Sequence, residues 1–274
     1  MKAIKLILLG VSLFSILPLG AQVFDKPRSL AEADSLDRVQ YRVLYQLDFI
    51  SDPTDREYVT QDQVRLDIGT QISKVYSLKH YQADSAATPL IETDQFPRKI
   101  VTDVVPPMIL YRGYPKTQDI TTDYRLPAGA PVMSYVEPKP TLQWQVKPEK
   151  REILGHSCQR AEVSFGGRQW IAWFTSEIPL SEGPYKFGGL PGLILEVADS
   201  EGDYRYTCIG IANLSAGENI VRWKWNQRPT TRKELEKIIV QLYANPEQAI
   251  KALGGRMGFK GDPMLNLPYN PIEK

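Results

Sequence analysis

The sequence predicts an α+β protein that is mainly antiparallel β, with a twisted or half-barrel-like sheet and a C-terminal helix packed on it. Three observations predict this class. Several runs alternate apolar and polar residues with a period of two, which is typical of strands with one buried face. From residue 142 onward such runs follow closely with no helix-length segment between them, which disfavours a parallel sheet with crossover helices. One later segment has the apolar spacing of an amphipathic helix.

Three strands are predicted in the first part of the chain. In residues 41–50 one face of the alternation is apolar, and it consists of Tyr41, Val43, Tyr45, Leu47 and Phe49. Val59–Ile68 and Gln71–His80 are predicted as the next two strands, with a turn at Gly69 between them.

The stretch around residues 82–140 is predicted to be a Pro-rich loop insertion. Nine prolines interrupt ladders and helices there. Short strands joined by extended loops are expected, and an insertion of this kind is either a functional flap or a surface excursion.

The second half is predicted to form an antiparallel meander followed by helices. Its strand-like runs are Leu142–Val146, Cys158–Phe165, Gln169–Thr175, Leu193–Val197, Tyr204–Ala212 and Ile220–Trp225. Gly166-Gly167 is a hairpin turn pattern. Thr231 and Glu234 form a capping box for a helix that ends at Asn245, and a second short helix is expected over Pro246–Leu253.

Composition excludes several classes of function. The 274 residues are 42% apolar and 24% charged, which is typical of a soluble globular protein. A net charge of +1 provides no cationic field for a phosphate backbone, so no nucleic-acid partner is expected. With only 2 His and 2 Cys, without the paired short spacing of zinc sites, neither a metal nor another cofactor is predicted.

The first 21 residues have the pattern of a secretory signal peptide. Lys2 and Lys5 precede an apolar run over Leu6–Leu17, which is shorter than the roughly 20 residues that cross a bilayer. The small Gly20 and Ala21 suit cleavage before Gln22, and no Cys lies nearby to carry a lipid. We therefore expect a single domain over residues 22–274 that is periplasmic or secreted and does not span the membrane.

The two cysteines lie in predicted strands, and their state is open. Export to an oxidising compartment favours a disulfide between Cys158 and Cys208. Two buried free thiols fit the pattern equally well, because the sequence does not give the Cα separation that decides between them.

The most unusual stretch is rich in glycine and proline. Its structural residues are Gly183, Pro184, Gly188, Gly189, Leu190, Pro191, Gly192, Leu193 and Ile194. It is not a phosphate-binding loop, because Gly189 and Leu190 stand where a Walker A motif has Lys and Ser or Thr. One interpretation is a tight loop that leads into a buried strand. In the other, the loop displays Tyr185, Lys186 and Phe187 to a partner.

These residues resemble a known family. The segment from Trp170 to Ile194, the upstream Ile153–Ala161 and the terminal Tyr269–Glu273 are similar to the GLPGLI family of exported Bacteroidetes proteins of the Porphyromonas type. The resemblance covers most of the chain after residue 21 and is strongest from Leu154 to Asp199. It implies export and the fold. The family has no established activity, so the resemblance supplies no catalytic residue.

Candidate chemistry is sparse. His156 and Cys158 share a strand face, but no third residue is identifiable that would orient a thiolate–imidazole pair. A carboxylate pair for a hydrolase is available among Glu177, Glu182, Glu196 and Asp199. We therefore predict no catalytic residue, and a carboxylate-dependent hydrolase is the alternative function.

Aromatic residues suggest a binding role instead. Trp170 and Trp173 lie on opposite faces of one apolar strand, which fits either core packing or an open groove. With Tyr185, Lys186 and Phe187 they are the candidate binding residues. We expect a non-enzymatic binding, carrier or envelope-assembly protein for a hydrophobic ligand or an outer-membrane partner. A purely structural envelope protein is the third possibility.

Overall fold

The computed structural model describes residues 26–93, 106–127, 129–214, 217–254 and 268–274. The predicted signal peptide and its cleavage site lie outside the described residues. None of the helices within these ranges has the length and apolar content that crossing a bilayer requires.

Fourteen strands and three helices lie within these ranges. The first seven strands are β1 (Ala33–Arg38), β2 (Tyr41–Phe49), β3 (Thr60–Ile68), β4 (Ser73–Ser77), β5 (Met108–Arg112), β6 (Asp119–Arg125) and β7 (Val132–Pro138). The other seven are β8 (Gln145–Ile153), β9 (His156–Phe165), β10 (Arg168–Thr175), β11 (Leu193–Asp199), β12 (Tyr204–Asn213), β13 (Asn219–Trp223) and β14 (Gln227–Pro229). The helices are α1 (Leu78–Glu92), α2 (Arg232–Ala244) and α3 (Pro246–Ala252).

Twelve of these strands form one sheet, in the order β14-β7-β6-β5-β4-β3-β2-β12-β11-β10-β9-β8. All neighbours are antiparallel except β14 and β7. β1 and β13 pair with each other as a separate two-stranded ribbon. The predicted class, a mainly antiparallel sheet with a C-terminal helix, is therefore confirmed, and the sheet does not close into a barrel.

Local sequence explains the parts that were predicted well. The meander runs from β8 to β12 with each strand beside the next, and Gly166 and Gly167 take positive φ in the hairpin between β9 and β10. The predicted capping box is present at the start of α2. Leu235, Ile239 and Leu242 of this helix pack on aromatic and apolar side chains of β6 and β7.

The region around residues 82–140 contains more regular structure than the prolines suggested. The strand predicted over Gln71–His80 ends at Ser77, because the Ser77 side chain accepts a hydrogen bond from the backbone N–H of His80 and caps α1. β5, β6 and β7 then extend the main sheet. Pro127 and Pro131 lie between β6 and β7, outside the ladder.

One face of the main sheet carries the principal apolar core. Alternate residues of β3, namely Val64, Leu66 and Ile68, belong to it. Trp170 and Phe187 from the second half of the chain are buried in the same cluster. The opposite face of β3 and β4 is covered by α1 and by the ribbon of β1 and β13.

Candidate functional site

The glycine-proline loop between β10 and β11 turns its side chains inward. Tyr185, Lys186 and Phe187 are all buried, so the interpretation in which the loop displays them does not describe this structure. The Phe187 ring centroid lies 4.6 Å from that of Trp170 in the core. Trp173 is half-buried on the other face of β10, where the Arg151 guanidinium lies 4.2 Å from its ring centroid. The loop is a tight connection that leads into a buried strand.

A group of buried charges holds this loop to the C-terminus. The Lys186 Nζ is 2.5 Å from Glu137 Oε1 and 2.6 Å from Glu273 Oε1. Tyr185 donates its hydroxyl proton to the same Glu273 carboxylate. Burial alone would raise the pKa of Glu273, but Lys186, Tyr185 and Arg232 hold that pKa below its usual value. Glu273 is therefore a charged anchor for the loop.

Arg168 at the start of β10 fixes the rest of the C-terminal segment. Its Nη2 donates to Asn270 Oδ1 at 2.7 Å and to the Pro271 carbonyl at 2.8 Å. The Lys274 N–H donates to the Gly166 carbonyl at 2.7 Å. The loop and the terminal segment, which both carry the family resemblance, thus contact each other, although they are distant in sequence.

The loop is also fixed to the first half of the chain. Arg112 of β5 donates from Nη1 to the Phe187 carbonyl at 2.7 Å and forms an ion pair with Glu182. Its Nε donates to Ser73 Oγ at 3.0 Å. Together these contacts give the motif a structural role, because the loop binds β5 in the first half of the chain and also binds the C-terminal segment.

The carboxylates considered for hydrolysis are each occupied by a separate basic partner. Glu177 binds His156 Nδ1 at 2.7 Å, and Glu196 binds Arg151 Nη2 at 2.8 Å. Glu182 pairs with Arg112, and Asp199 pairs with Arg168 at 2.6 Å. No two of these four carboxylates share a basic partner in the described part of the chain, so the contacts give no sign of a paired hydrolytic site.

An acidic group at the turn after β11 is neutralised in the same way. Ligand atoms of Asp199, Glu201 and Asp203 lie within 4.8 Å of one another. Arg168 Nη1 lies 2.6 Å from Asp199 and 2.8 Å from Asp203, where a metal would need free carboxylate oxygens. Burial would raise the pKa of Asp203, but hydrogen bonds from Arg168, Asn270 and Arg56 lower that pKa to about 2. We assign no metal to this group.

Cys158 and Cys208 are buried free thiols in the structure. Burial raises the pKa of each thiol to about 11. The Cys158 thiol faces the backbone carbonyl of His156, while the His156 imidazole binds Glu177. In the described part of the chain, the Cys158 thiol and the His156 imidazole therefore do not form a thiolate–imidazole nucleophile.

Both thiols are therefore expected to resist alkylation while the protein is folded. With a pKa of about 11, only about one thiol in a thousand is ionised at pH 8, and burial limits access further. Mass spectrometry after iodoacetamide treatment at pH 8 should find no label on folded protein and two labels in guanidinium without reductant. Failure to label the unfolded chain would reveal a disulfide instead, and labelling of the folded chain would show that the thiols are accessible.

A cleft of about 320 Å³ lies on the opposite face of the main sheet from the apolar core. Period two places Arg65, Asp67, Lys74 and Tyr76 on this face, opposite Val64, Leu66 and Val75. Its walls come from β3, β4, α1, β13 and the segment before β1. The lining residues are Leu30, Arg65, Asp67, Lys74, Tyr76, Tyr81, Ser85, Thr88, Pro89, Glu218, Asn219, Val221 and Trp223.

Lys74 is the most unusual residue in the cleft. It is 2% exposed, and its Nζ lies 3.3 Å from the Trp223 ring centroid and 4.7 Å from that of Tyr76. The Nζ donates to the Val221 carbonyl at 2.8 Å. Burial lowers the pKa of Lys74 well below its usual value, although Asp67 and Asp123 oppose this. A buried amine surrounded by aromatic rings in a cleft is a feature of binding sites.

A network of charges forms one rim of the cleft. Asp67 accepts hydrogen bonds from Arg42 Nε at 2.6 Å, Arg65 Nε at 3.2 Å and the Tyr76 hydroxyl at 3.0 Å. The Arg65 guanidinium also lies 5.4 Å from the Tyr81 ring centroid. The cleft therefore combines aromatic surfaces with fixed charges, which is the usual composition of a site that orients a small ligand.

Comparison with known proteins identifies only part of the chain. A family model described as "Protein of unknown function (Porph_ging)" matches residues 167–196. This stretch contains β10 and the glycine-proline loop. No curated protein matches the chain.

Two of the solved structures that match this chain do so at low identity. They are the structures of PNGF-II in the P21 and C2 space groups, at 12% and 13% identity, each with a TM-score of 0.49. Each match covers 75% of this chain, which spans about a third of the PNGF-II length, namely 34% and 33%.

Proposed function

We propose that the chain is a GLPGLI-family protein that is exported through its N-terminal signal peptide and acts by binding a ligand rather than by catalysis. The observation that carries this proposal is the aromatic and charged cleft on the covered face of the sheet. Its volume of about 320 Å³ falls in the range of small-ligand pockets.

The cleft changes the expected ligand. The aromatic strand β10 suggested a hydrophobic ligand in a groove, but Trp170 and its neighbours on that face are buried in the core. In the cleft, Tyr81 and Leu30 offer apolar surface, while Arg65 offers charge. An amphipathic small ligand, with an apolar body and a polar group, fits this lining better than a purely hydrophobic one.

The alternatives receive less support. A carboxylate-dependent hydrolase needs two carboxylates that face one substrate, whereas each candidate here has its own basic partner. A purely structural envelope protein gives no reason for a buried lysine and aromatic rings to line an open cleft.

The test is native mass spectrometry of protein released gently from the envelope of the cells that produce it. We expect a chain that starts at Gln22 and carries a discrete extra mass, which solvent extraction removes. Ser85 is exposed on α1 and lines the cleft, so Ser85→Trp should fill the cleft and reduce the ligand-bound fraction at least tenfold.

Ala86→Trp is the matched control, because Ala86 is exposed on the same helix but does not line the cleft. This variant should retain the extra mass. A bare wild-type chain would contradict ligand carriage, and equal retention by both variants would contradict binding in this cleft.

A further inference from the structure

The rim of the cleft already holds a carboxylate from the chain itself. Glu218, just before β13, places Oε2 2.7 Å from Arg42 Nη2 and 3.0 Å from Arg65 Nη2. Its Oε1 accepts from Arg42 Nη1 at 3.2 Å. The Glu218 side chain is 63% exposed, whereas those of both arginines are largely buried. Arg65 lines the cleft, Arg42 lies beside it through the shared Glu218, and the Glu218 carboxylate reaches both from the solvent side.

The two carboxylates on these arginines have different roles. Asp67 is buried and accepts hydrogen bonds from the Nε atoms of Arg42 and Arg65. Glu218 accepts hydrogen bonds only from the outer Nη atoms of these arginines. The Glu218 carboxylate is itself exposed, so it regains full hydration when it leaves the arginines, and a second carboxylate can take over its hydrogen bonds. The Arg65 guanidinium, which Asp67 holds in place, then presents its outer N–H group to the cleft, with the Arg42 guanidinium beside it.

The floor of the cleft is formed in part by the buried amine of Lys74. Among the described residues, no carboxylate oxygen lies within ion-pair distance of the buried Lys74, which is held by a carbonyl and by aromatic rings. An anionic ligand group is therefore favoured here by charge-assisted hydrogen bonds from the arginines, and no carboxylate at Lys74 opposes it.

We infer that the cleft takes a ligand with a carboxylate on an apolar or aromatic body, and that this carboxylate replaces Glu218 on Arg65 and Arg42. The inference rests on the proposed function and adds the chemical class of the ligand. The occupant supplied by the chain is itself a carboxylate, and the paired Nη atoms of Arg42 match the two oxygens of such a group. Tyr81 and Leu30, which are only partly buried, offer the surface for the body.

The test is an NMR titration of the protein with benzoate, with benzamide as its uncharged counterpart and with inorganic phosphate. Benzoate should bind saturably, and both benzamide and phosphate should bind at least tenfold more weakly. Glu218→Gln should tighten benzoate binding severalfold, because a neutral amide competes less well for the arginines. Glu201→Gln is the control: it removes one similarly exposed charge, which pairs with Lys274 and does not line the cleft, and it should leave benzoate binding unchanged.

Equal binding of benzoate and benzamide, or of benzoate and phosphate, would overturn the inference. So would a Glu218→Gln variant with unchanged or weaker affinity for benzoate. The proposed function is judged separately, because it survives these results if the native protein still carries an extra mass that Ser85→Trp removes. If there is neither an extra mass nor any probe binding, both are wrong.

Discussion

Replacing Gly192 with alanine is expected to lower the free energy of unfolding by about 3–5 kcal/mol, among the largest effects that one methyl group can have. Gly192 has φ +154°, and an added Cβ would lie 2.0 Å from the Thr175 carbonyl oxygen and 2.6 Å from its carbon. These are backbone atoms at the end of β10, so no side chain can move aside. The loop cannot shift either, because the following Leu193 and Ile194 are fully buried.

Gly189 supplies the matched control. It also has a positive φ, +87°, but an added Cβ would meet nothing within 4 Å. Gly189→Ala should therefore cost only the backbone strain, about 1–2 kcal/mol. Urea unfolding of both variants and the wild type, followed by circular dichroism, measures the two losses. Equal losses would show that the close approach at Gly192 is not what the motif requires.

Replacing Arg168 with methionine is expected to lower the free energy of unfolding by about 3–5 kcal/mol at pH 7. The Arg168 side chain is 1% exposed and binds Asp199, Asp203 and the C-terminal segment at the same time. Methionine keeps much of the volume but leaves two buried carboxylates without this cation. Arg205→Met is the control, since Arg205 is 55% exposed and its 3.3 Å pair with Glu196 should contribute less than about 1 kcal/mol.

The pH dependence of the free energy of unfolding distinguishes loss of the Arg168 charge from simple loss of packing. Because the pKa of Asp203 is lowered in the folded state, this carboxylate stabilises the wild type at pH values above its unfolded-state pKa near 3.8. This contribution is lost as the pH falls toward 2. In the Arg168→Met variant the buried carboxylates are destabilising when charged, so their protonation relieves the defect. The difference in the free energy of unfolding between the variant and the wild type should therefore shrink as the pH is lowered from 7 to 4. A difference that is constant with pH would indicate a packing defect.

The success of the fold prediction depended on where the apolar residues lie. β2 was predicted within one residue at each end, because its alternate positions are apolar and all face one core. α1 was missed because its buried residues are His80, Asp84 and Ala87. They have helical spacing, but two of the three are polar, so no apolar periodicity marks the helix. The ion pair between Asp84 and Arg125, which keeps this face buried, links distant parts of the chain.

The candidate site was not predictable from local pattern for a related reason. Alternation places Arg65 and Lys74 on the polar face of their strands, where solvent exposure is the ordinary expectation. They are buried because the ribbon of β1 and β13 covers them, and pairing between those two strands leaves no local signature. In the same way, the glycine-proline loop was recognisable as a motif, but the ion pair of its Lys186 is made with Glu273, a residue far along the chain.

The most direct test of the account is hydrogen exchange with mass spectrometry on the native protein, before and after solvent extraction of its ligand. If the cleft binds the ligand and the glycine-proline loop is structural, extraction should increase exchange in α1 and in residues 218–223 and leave residues 183–194 unchanged. An increase centred on residues 183–194, or no difference anywhere, would contradict the account.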